Sequence, residues 1–254
     1  MSKIISVHSF RGGTGKSNTT ANLGCTLALM GYRVGIVDTD IQSPGIHVLF
    51  GLESEDTTHA LNDYLWGRCE ITEVAQDVTK LLAEHGQPNS GGAIYLIPSS
   101  IKTSEITRIL REGYDVGLLN DGFQQLLQEL QLDYLMIDTH PGLNEETLLS
   151  ITISDVLVLI LRPDRQDFQG TAVTVDVARQ LDVPKMVLVA NKVPSSLNKE
   201  TLKEQIESTY STTVAGILPV TEEMFQLGSS DIFCLRYPEL PFSLVIRGIA
   251  EQIL

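Results

Sequence analysis

Ser9-Phe10-Arg11-Gly12-Gly13-Thr14-Gly15-Lys16-Ser17 decides how this chain is read. An apolar run at Ile4, Ile5 and Val7 precedes it and reads as a first β-strand. A helical pattern, Ala21 to Met30, follows it. Strand, glycine loop, Lys-Ser and helix, in that order, make a cradle for a triphosphate tail. Glycines let the backbone approach phosphate oxygens and turn its N–H groups toward them. A helix opening near Lys16 adds the positive end of its dipole. Lys16 supplies a point charge for the β- and γ-phosphates, and the Ser17 hydroxyl suits Mg²⁺.

Around this loop the chain has 254 residues, which fit a single α/β domain spanning 1–254. That is enough to bury a core on both sides of a sheet. Aromatic residues make up only 6%, and the rich aliphatic content suits parallel strands covered on both faces. The net charge of −14 argues against a broad nucleic-acid surface, which needs clustered Lys and Arg, and against anionic lipid. Lys102, Arg108 and Arg111 share one segment, but Glu105, Glu112 and Asp115 offset them there. Cys25, Cys69 and Cys234 are far apart and form no C-x-x-C, which favours a reducing cytoplasm and gives no metal or cluster spacing. No apolar run approaches the ~20 residues of a membrane span. The N-terminus does not read as a signal peptide.

Short apolar runs alternate with helical patterns, the signature of a parallel sheet with crossover helices. The expected strands are Ile4–Val7, Val34–Asp38, Ala93–Ile97, Tyr134–Asp138, Val156–Leu161, Met186–Asn191 and Val214–Leu218. The expected helices are Lys16–Met30, Thr58–Leu65, Ser104–Leu110, Gly122–Leu130, Asp167–Leu181, Lys199–Tyr210 and Phe242–Leu254. Glu84–Gly92, rich in Gly, Pro and Asn, reads as a surface loop.

Two expected strands end in carboxylates. Val34-Gly35-Ile36-Val37-Asp38-Thr39-Asp40 puts two Asp residues where ligands gather, at the carboxyl end of a parallel strand. Tyr134-Leu135-Met136-Ile137-Asp138 has four apolar residues and then Asp, which fits a strand whose Asp holds Mg²⁺ through water and Ser17. His140 follows in Thr139-His140-Pro141-Gly142. It reads as a polar loop residue beside the site, since phosphoryl transfer depends on positioning and charge and requires no histidine.

The run basic-Gly-Gly-x-Gly-Lys-Ser resembles the deviant Walker A box of the MinD/ParA family of ATPases. Phe10 stands where the plain pattern has Gly, and Arg11 where the family has its signature Lys. The likeness extends from Ile4 to the last helix. It implies a doubly wound, mostly parallel sheet of about 7–8 strands flanked by helices, a P-loop NTPase of SIMIBI type. It also implies ATP and Mg²⁺ bound along Arg11, Gly12, Gly13, Thr14, Gly15, Lys16, Ser17 and Asn18. Asp38-Thr39-Asp40 resembles the family's Asp-x-Asp box, with Asp38 in the metal and water shell and Asp40 orienting the attacking water. By the same likeness Lys16, Arg11, Asp38 and Asp40 are catalytic, and Ser17, Asp38 and Asp138 surround the metal. Gly142 looks like the glycine that senses the γ-phosphate, in a loop where His140 replaces a Pro of the family's Asp-Thr-Pro-Pro-Gly. Asn191 matches the residue that contacts adenine, and the segment through Pro219 matches the loop that closes over the base. Arg162-Pro163-Asp164 looks like a strand-end loop near the dimer face.

The resemblance implies an ATP-state homodimer in which Arg11 reaches the partner's phosphates. The implied work is the positioning or assembly of a regulatory or cargo protein through slow, partner-stimulated hydrolysis, in a bacterial cytoplasm. Non-specific DNA binding is disfavoured by the net charge. The segment 242–254 has apolar residues at helical spacing, but its polar face carries one Arg, one Glu and no Lys. It reads as a core-packed helix, with membrane contact the weaker alternative, because interfacial helices use several basic residues. The rival functions are a P-loop metabolic ligase of the dethiobiotin synthase kind, a cofactor-maturation ATPase, and an ATP-dependent binding module with little turnover.

Overall fold

The computed structural model describes residues 2–53, 58–85 and 91–254. Its strands are β1 Lys3–His8, β2 Arg33–Asp38, β3 Gln76–Asp77, β4 Ala93–Ile97, β5 Tyr134–Asp138, β6 Val156–Leu161, β7 Lys185–Val193 and β8 Val214–Pro219. They form one sheet in the order β3-β4-β2-β5-β1-β6-β7-β8. All neighbours run parallel except β3, which pairs antiparallel with the edge of β4.

The strands form where β-branched and leucine residues run without polar breaks. β6 reads Val-Leu-Val-Leu-Ile-Leu and is buried at every position, as a strand covered on both faces must be. One face of the sheet packs Ile5, Val7, Ile36, Met136, Val158 and Val189 into a core with the helices Lys16–Leu29 and Pro241–Ile253. Ile4, Val37, Leu135 and Ile137 belong to a second cluster with Phe123 and Leu126, and Leu157, Leu159 and Leu188 to a third with Val175 and Ile206.

The helix after β1 carries the chain past β5 to β2, whereas β6 leads away on the other side to β7 and β8. The winding therefore reverses at β1. In open α/β sheets the crevice at such a reversal, beyond the carboxyl ends of the strands, takes the ligand.

The seven expected strands all form; three keep the expected bounds and four are longer by one to three residues. β3 escapes the pattern because two residues, Gln76 and Asp77, have no period. Six helices also lacked a readable signal: Ile46–Leu49, Ile71–Val74, Lys80–His85, Glu145–Thr152, Glu222–Leu227 and Phe233–Arg236. Five are too short for a 3.6-residue period to show. The sixth, Glu145–Thr152, buries Thr147 and Ser150 beside Ile151, so its inward stripe is largely polar. The helix expected at Gly122–Leu130 begins earlier, at Val116, where the Asp115 carboxylate accepts from the Gly117 N–H at 2.8 Å. The one expected from Thr58 is confined to Leu61–Leu65. Of the loop expected at Glu84–Gly92, its first two residues end the helix Lys80–His85, and residues 86–90 lie outside the described residues.

The last helix buries Phe242, Ile246, Ile249 and Ile253 against β8 and the helix Lys16–Leu29. Among the described residues no helix is long and apolar enough to cross a membrane.

Candidate active site

β1 ends at His8, and the glycine loop turns from it into the helix that begins at Lys16. Gly15 caps that helix with φ +94°, a left-handed conformation that strains any residue with a side chain. The loop is tied down from outside. Lys192 Nζ donates to the Gly13 carbonyl at 2.8 Å, and Asn191 Nδ2 donates to the Thr14 carbonyl at 2.8 Å. Thr19 donates its N–H and its hydroxyl to the Gly15 carbonyl at 3.0 and 2.9 Å. In a trans peptide the N–H points opposite to the C=O. The N–H groups of Thr14, Gly15 and Lys16 therefore face away from these anchors, as an anion cradle requires.

Beneath the loop, β2 and β5 bring Asp38 and Asp138 into register as Cα partners, both buried. Asp38 spends both oxygens on its own loop: Oδ1 accepts from Asp40 N at 3.0 Å and Oδ2 from Gly45 N at 3.3 Å. It acts as the post on which Asp40 is mounted. Asp138 Oδ1 accepts from the Thr20 hydroxyl at 3.2 Å, while its buried Oδ2 has no partner. Asp40 Oδ1 is likewise buried and without a hydrogen bond, and His140 Nε2 stands 3.8 Å from it. Lys16, also buried, acts electrostatically on both of these acids.

Burial pushes all three carboxyls above the ordinary carboxylate range. For Asp38 the neighbouring Asp138 charge adds to burial and the Asp40 and Gly45 N–H groups oppose it. For Asp138 the Lys16 charge and the Ser17 and Thr20 hydroxyls oppose burial. For Asp40 it is His140 and Lys16 that oppose burial. Two buried acids and the half-buried Asp40, with one buried lysine acting on Asp40 and Asp138, are short of positive charge. No group of three or more His, Cys, Asp or Glu residues among the described residues could hold a metal by itself. A hard cation held mainly by phosphate and water oxygens, with one or two protein ligands, fits this site, and that is how Mg²⁺ is usually bound. Ser17 and Asp138 Oδ2 are the residues placed to take part.

The sequence reading passed over His8. It is fully buried at the end of β1, with Nδ1 2.7 Å from the Thr139 hydroxyl. That hydroxyl donates to the Val7 carbonyl at 3.1 Å, so His8 Nδ1 is assigned as the donor to it and Nε2 is left as a bare acceptor. Burial, with the Lys16 and His140 charges, pushes its pKa down to about 3. The only sequence signal was a polar ring at the last position of an apolar strand.

The remaining expected residues fall around these groups. Gly142, at φ +87°, donates its N–H to the Ser9 carbonyl at 3.2 Å and so joins the β5 loop to the glycine loop. Asn191 and Pro219 line a pocket of about 190 Å³ with Gly15, Asn18, Phe225 and Phe242. The Asn191 amide donates one N–H to the Thr14 carbonyl and accepts from the Lys192 N–H at 2.7 Å, which leaves one donor and one lone pair unused. Phe225, 76% exposed, stands on the same pocket. Arg11 Nη1 sits 3.3 Å from Asp167 Oδ1, where its charge meets an acid of its own chain. Asp167 feels burial first, which raises its pKa, but Arg162 and Arg11 together hold it below the usual carboxylate range.

Comparison with known proteins gives the same answer as the geometry. A family model described as an AAA domain matches residues 2–185. The septum site-determining protein MinD of Bacillus subtilis is 26% identical across 100% of this chain and 90% of its own length. An iron–sulfur cluster carrier protein of Pyrococcus abyssi is 26% identical across 98% of this chain and 84% of its own. Among solved structures, the cell division ATPase MinD of Pyrococcus furiosus superposes with a TM-score of 0.82 over 100% of this chain and 98% of that one, at 20% identity, a likeness of fold. With its sheet order, its glycine loop and its strand-end carboxylates, the chain belongs to the MinD/ParA family of P-loop ATPases.

Proposed function

We propose that residues 1–254 work as one ATP-dependent dimerisation switch that hydrolyses ATP slowly and positions or assembles a protein partner. The observation that carries this reading is the pair of unpartnered buried oxygens, Asp138 Oδ2 and Asp40 Oδ1, beside Lys16 and below the glycine loop. A buried polar atom without a partner calls for an explanation, and beside a glycine loop and a buried lysine a bound ligand with its cation is the one that fits. The names of relatives that determine septum sites support the positioning role.

The residues divide the work. The loop N–H groups and Lys16 receive the phosphates, and Lys16 balances charge that builds up as the terminal phosphoryl departs. Ser17 and Asp138 would hold Mg²⁺, which would supply positive charge against the phosphate oxygens. Asp40, mounted on Asp38 and close to solvent, accepts a hydrogen bond from the attacking water and orients it. Gly142 couples the β5 loop to the phosphate end of the site. Pro219, Phe225 and Phe242 offer an apolar seat for the base, with Asn18 and Asn191 at its polar edge. Arg11 supplies a planar cation for a second copy's phosphates. Dimer formation on ATP and release on hydrolysis then make the cycle.

Solution mass tests the reading. Wild type should double in mass with Mg²⁺ and ATP and stay monomeric with ADP, and Asp40→Ala should hold the dimer without turnover. Unchanged mass with ATP still consumed overturns the switch and favours a metabolic enzyme. Arg11→Ala protein that dimerises and hydrolyses like wild type removes Arg11 from the mechanism. Cluster carriage gains no support from the cysteines: Cys25 and Cys234 are both buried, and Cys69 belongs to a different core cluster.

A further inference from the structure

The tip of the glycine loop is fastened to its own chain at two adjacent residues. The Phe10 ring lies on Gly170: a Cβ at position 170 would stand 2.1 Å from Phe10 Cδ1 and 2.5 Å from Cγ, so the seat admits glycine alone. Arg11 Nη1 lies 3.3 Å from Asp167 Oδ1 and 3.9 Å from Asp164 Oδ1. Asp167 and Gly170 are three residues apart on the helix Arg165–Gln180 and share one face of it. An apolar seat and an ion pair, independent of each other, thus hold neighbouring residues to one surface.

Asp167 does not depend on Arg11. Arg162 donates to it from its backbone N–H at 2.9 Å, from Nε at 2.9 Å and from Nη2 at 3.0 Å. When Arg11 leaves, the buried carboxylate keeps a bidentate cation, so no bare charge is left inside. The Arg11 side chain is 40% exposed, so its pair with the buried Asp167 is screened from the Arg11 side.

We infer that Phe10 and Arg11 form a clasp in cis that restrains self-association. Arg11 has one guanidinium, and it cannot pair with Asp167 and with the phosphates of a second copy's nucleotide at once. Opening the clasp is therefore a step on the way to the dimer, and this inference rests on the switch reading above. A second copy competes with Asp167 for Arg11, and displacing Phe10 from Gly170 favours that copy.

The test is light scattering across a protein concentration series with Mg²⁺ and a slowly hydrolysed ATP analogue, on wild type, Phe10→Ala and Gly170→Ala. Alanine favours the helix interior, so Gly170→Ala folds while expelling the ring. Both variants should reach half-dimer at about two- to fivefold lower concentration than wild type, since loss of the aromatic seat worth about 0.5–1 kcal/mol frees the loop by that factor. Without nucleotide, trypsin should cut the Arg11–Gly12 bond faster in both, following the open population. A midpoint unchanged or raised in both variants, while wild type dimerises, overturns the clasp and leaves the switch standing. Faster cleavage without any shift in the midpoint also overturns it, since the contact then restrains nothing. Variants that dimerise where wild type stays monomeric support it. If none of the three dimerises, the switch fails and the clasp falls with it.

Discussion

Asp138 stands directly across the β2–β5 ladder from Asp38, carboxylate beside carboxylate, inside the protein. Both pKa values are raised. A carboxyl whose folded pKa exceeds its unfolded value binds more protons in the folded state, so stability falls as pH rises from about 4 toward the raised value. Nucleotide-free protein should therefore lose stability on this account as the pH climbs above about 4. Asp138→Asn should melt higher than wild type near neutral pH, by about 0.5–2 kcal/mol, and lose ATPase activity. Thermal melts of both proteins at two pH values check this; an Asn variant that is less stable at neutral pH refutes it.

His8 predicts the opposite limb. Its folded pKa, about 3, lies below the ordinary 6.5. The unfolded chain then binds the extra proton, so stability is lost as pH falls below about 6.5 toward 3. His8→Asn should flatten this limb in chemical denaturation between pH 4 and 7, whatever it does to stability at neutral pH. An equal acid slope in both proteins would remove His8 as its source.

Gly15 and Asn191 set the shape of the loop together. A Cβ on Gly15 would lie 2.4 Å from Asn191 Nδ2, at a φ of +94°. Gly15→Ala should abolish nucleotide binding while far-UV circular dichroism stays native. Asn191→Ala removes the anchor on Thr14 and should weaken binding, with about 1–3 kcal/mol lost in affinity or stability from the unsatisfied loop carbonyl. Calorimetric titration with Mg-ADP reads both.

Phe225 is a large aromatic side chain left 76% exposed at the mouth of an apolar pocket. Stacking against a base is worth about 1 kcal/mol, so Phe225→Ala should weaken ADP and ATP binding alike, about fivefold. Equal affinities in variant and wild type would place the base elsewhere.

The features that could be read from the chain were those written in consecutive residues. The glycine loop, the seven long strands and the acids at the ends of β2 and β5 each carry a local pattern. Residues whose role depends on a distant neighbour carried none. Lys192 reads as one more strand-end lysine until β7 brings it to the Gly13 carbonyl. Asp167 and Gly170 read as ordinary helix positions until β6 brings their helix under Phe10. Arg11 is expected to reach a second copy's phosphates, and nothing local shows its pairing with Asp167, which lies 156 residues away. Nothing in Asp38-Thr39-Asp40 tells that the N–H groups of Asp40 and Gly45 donate to the Asp38 carboxylate.

The seat of Phe10 on Gly170 has a consequence for reading related chains. With the Phe10 ring in place, a Cβ at position 170 has no room. The two positions, 160 residues apart in the sequence, therefore carry a single choice between them. Chains that pair an aromatic residue with glycine here should share this loop conformation.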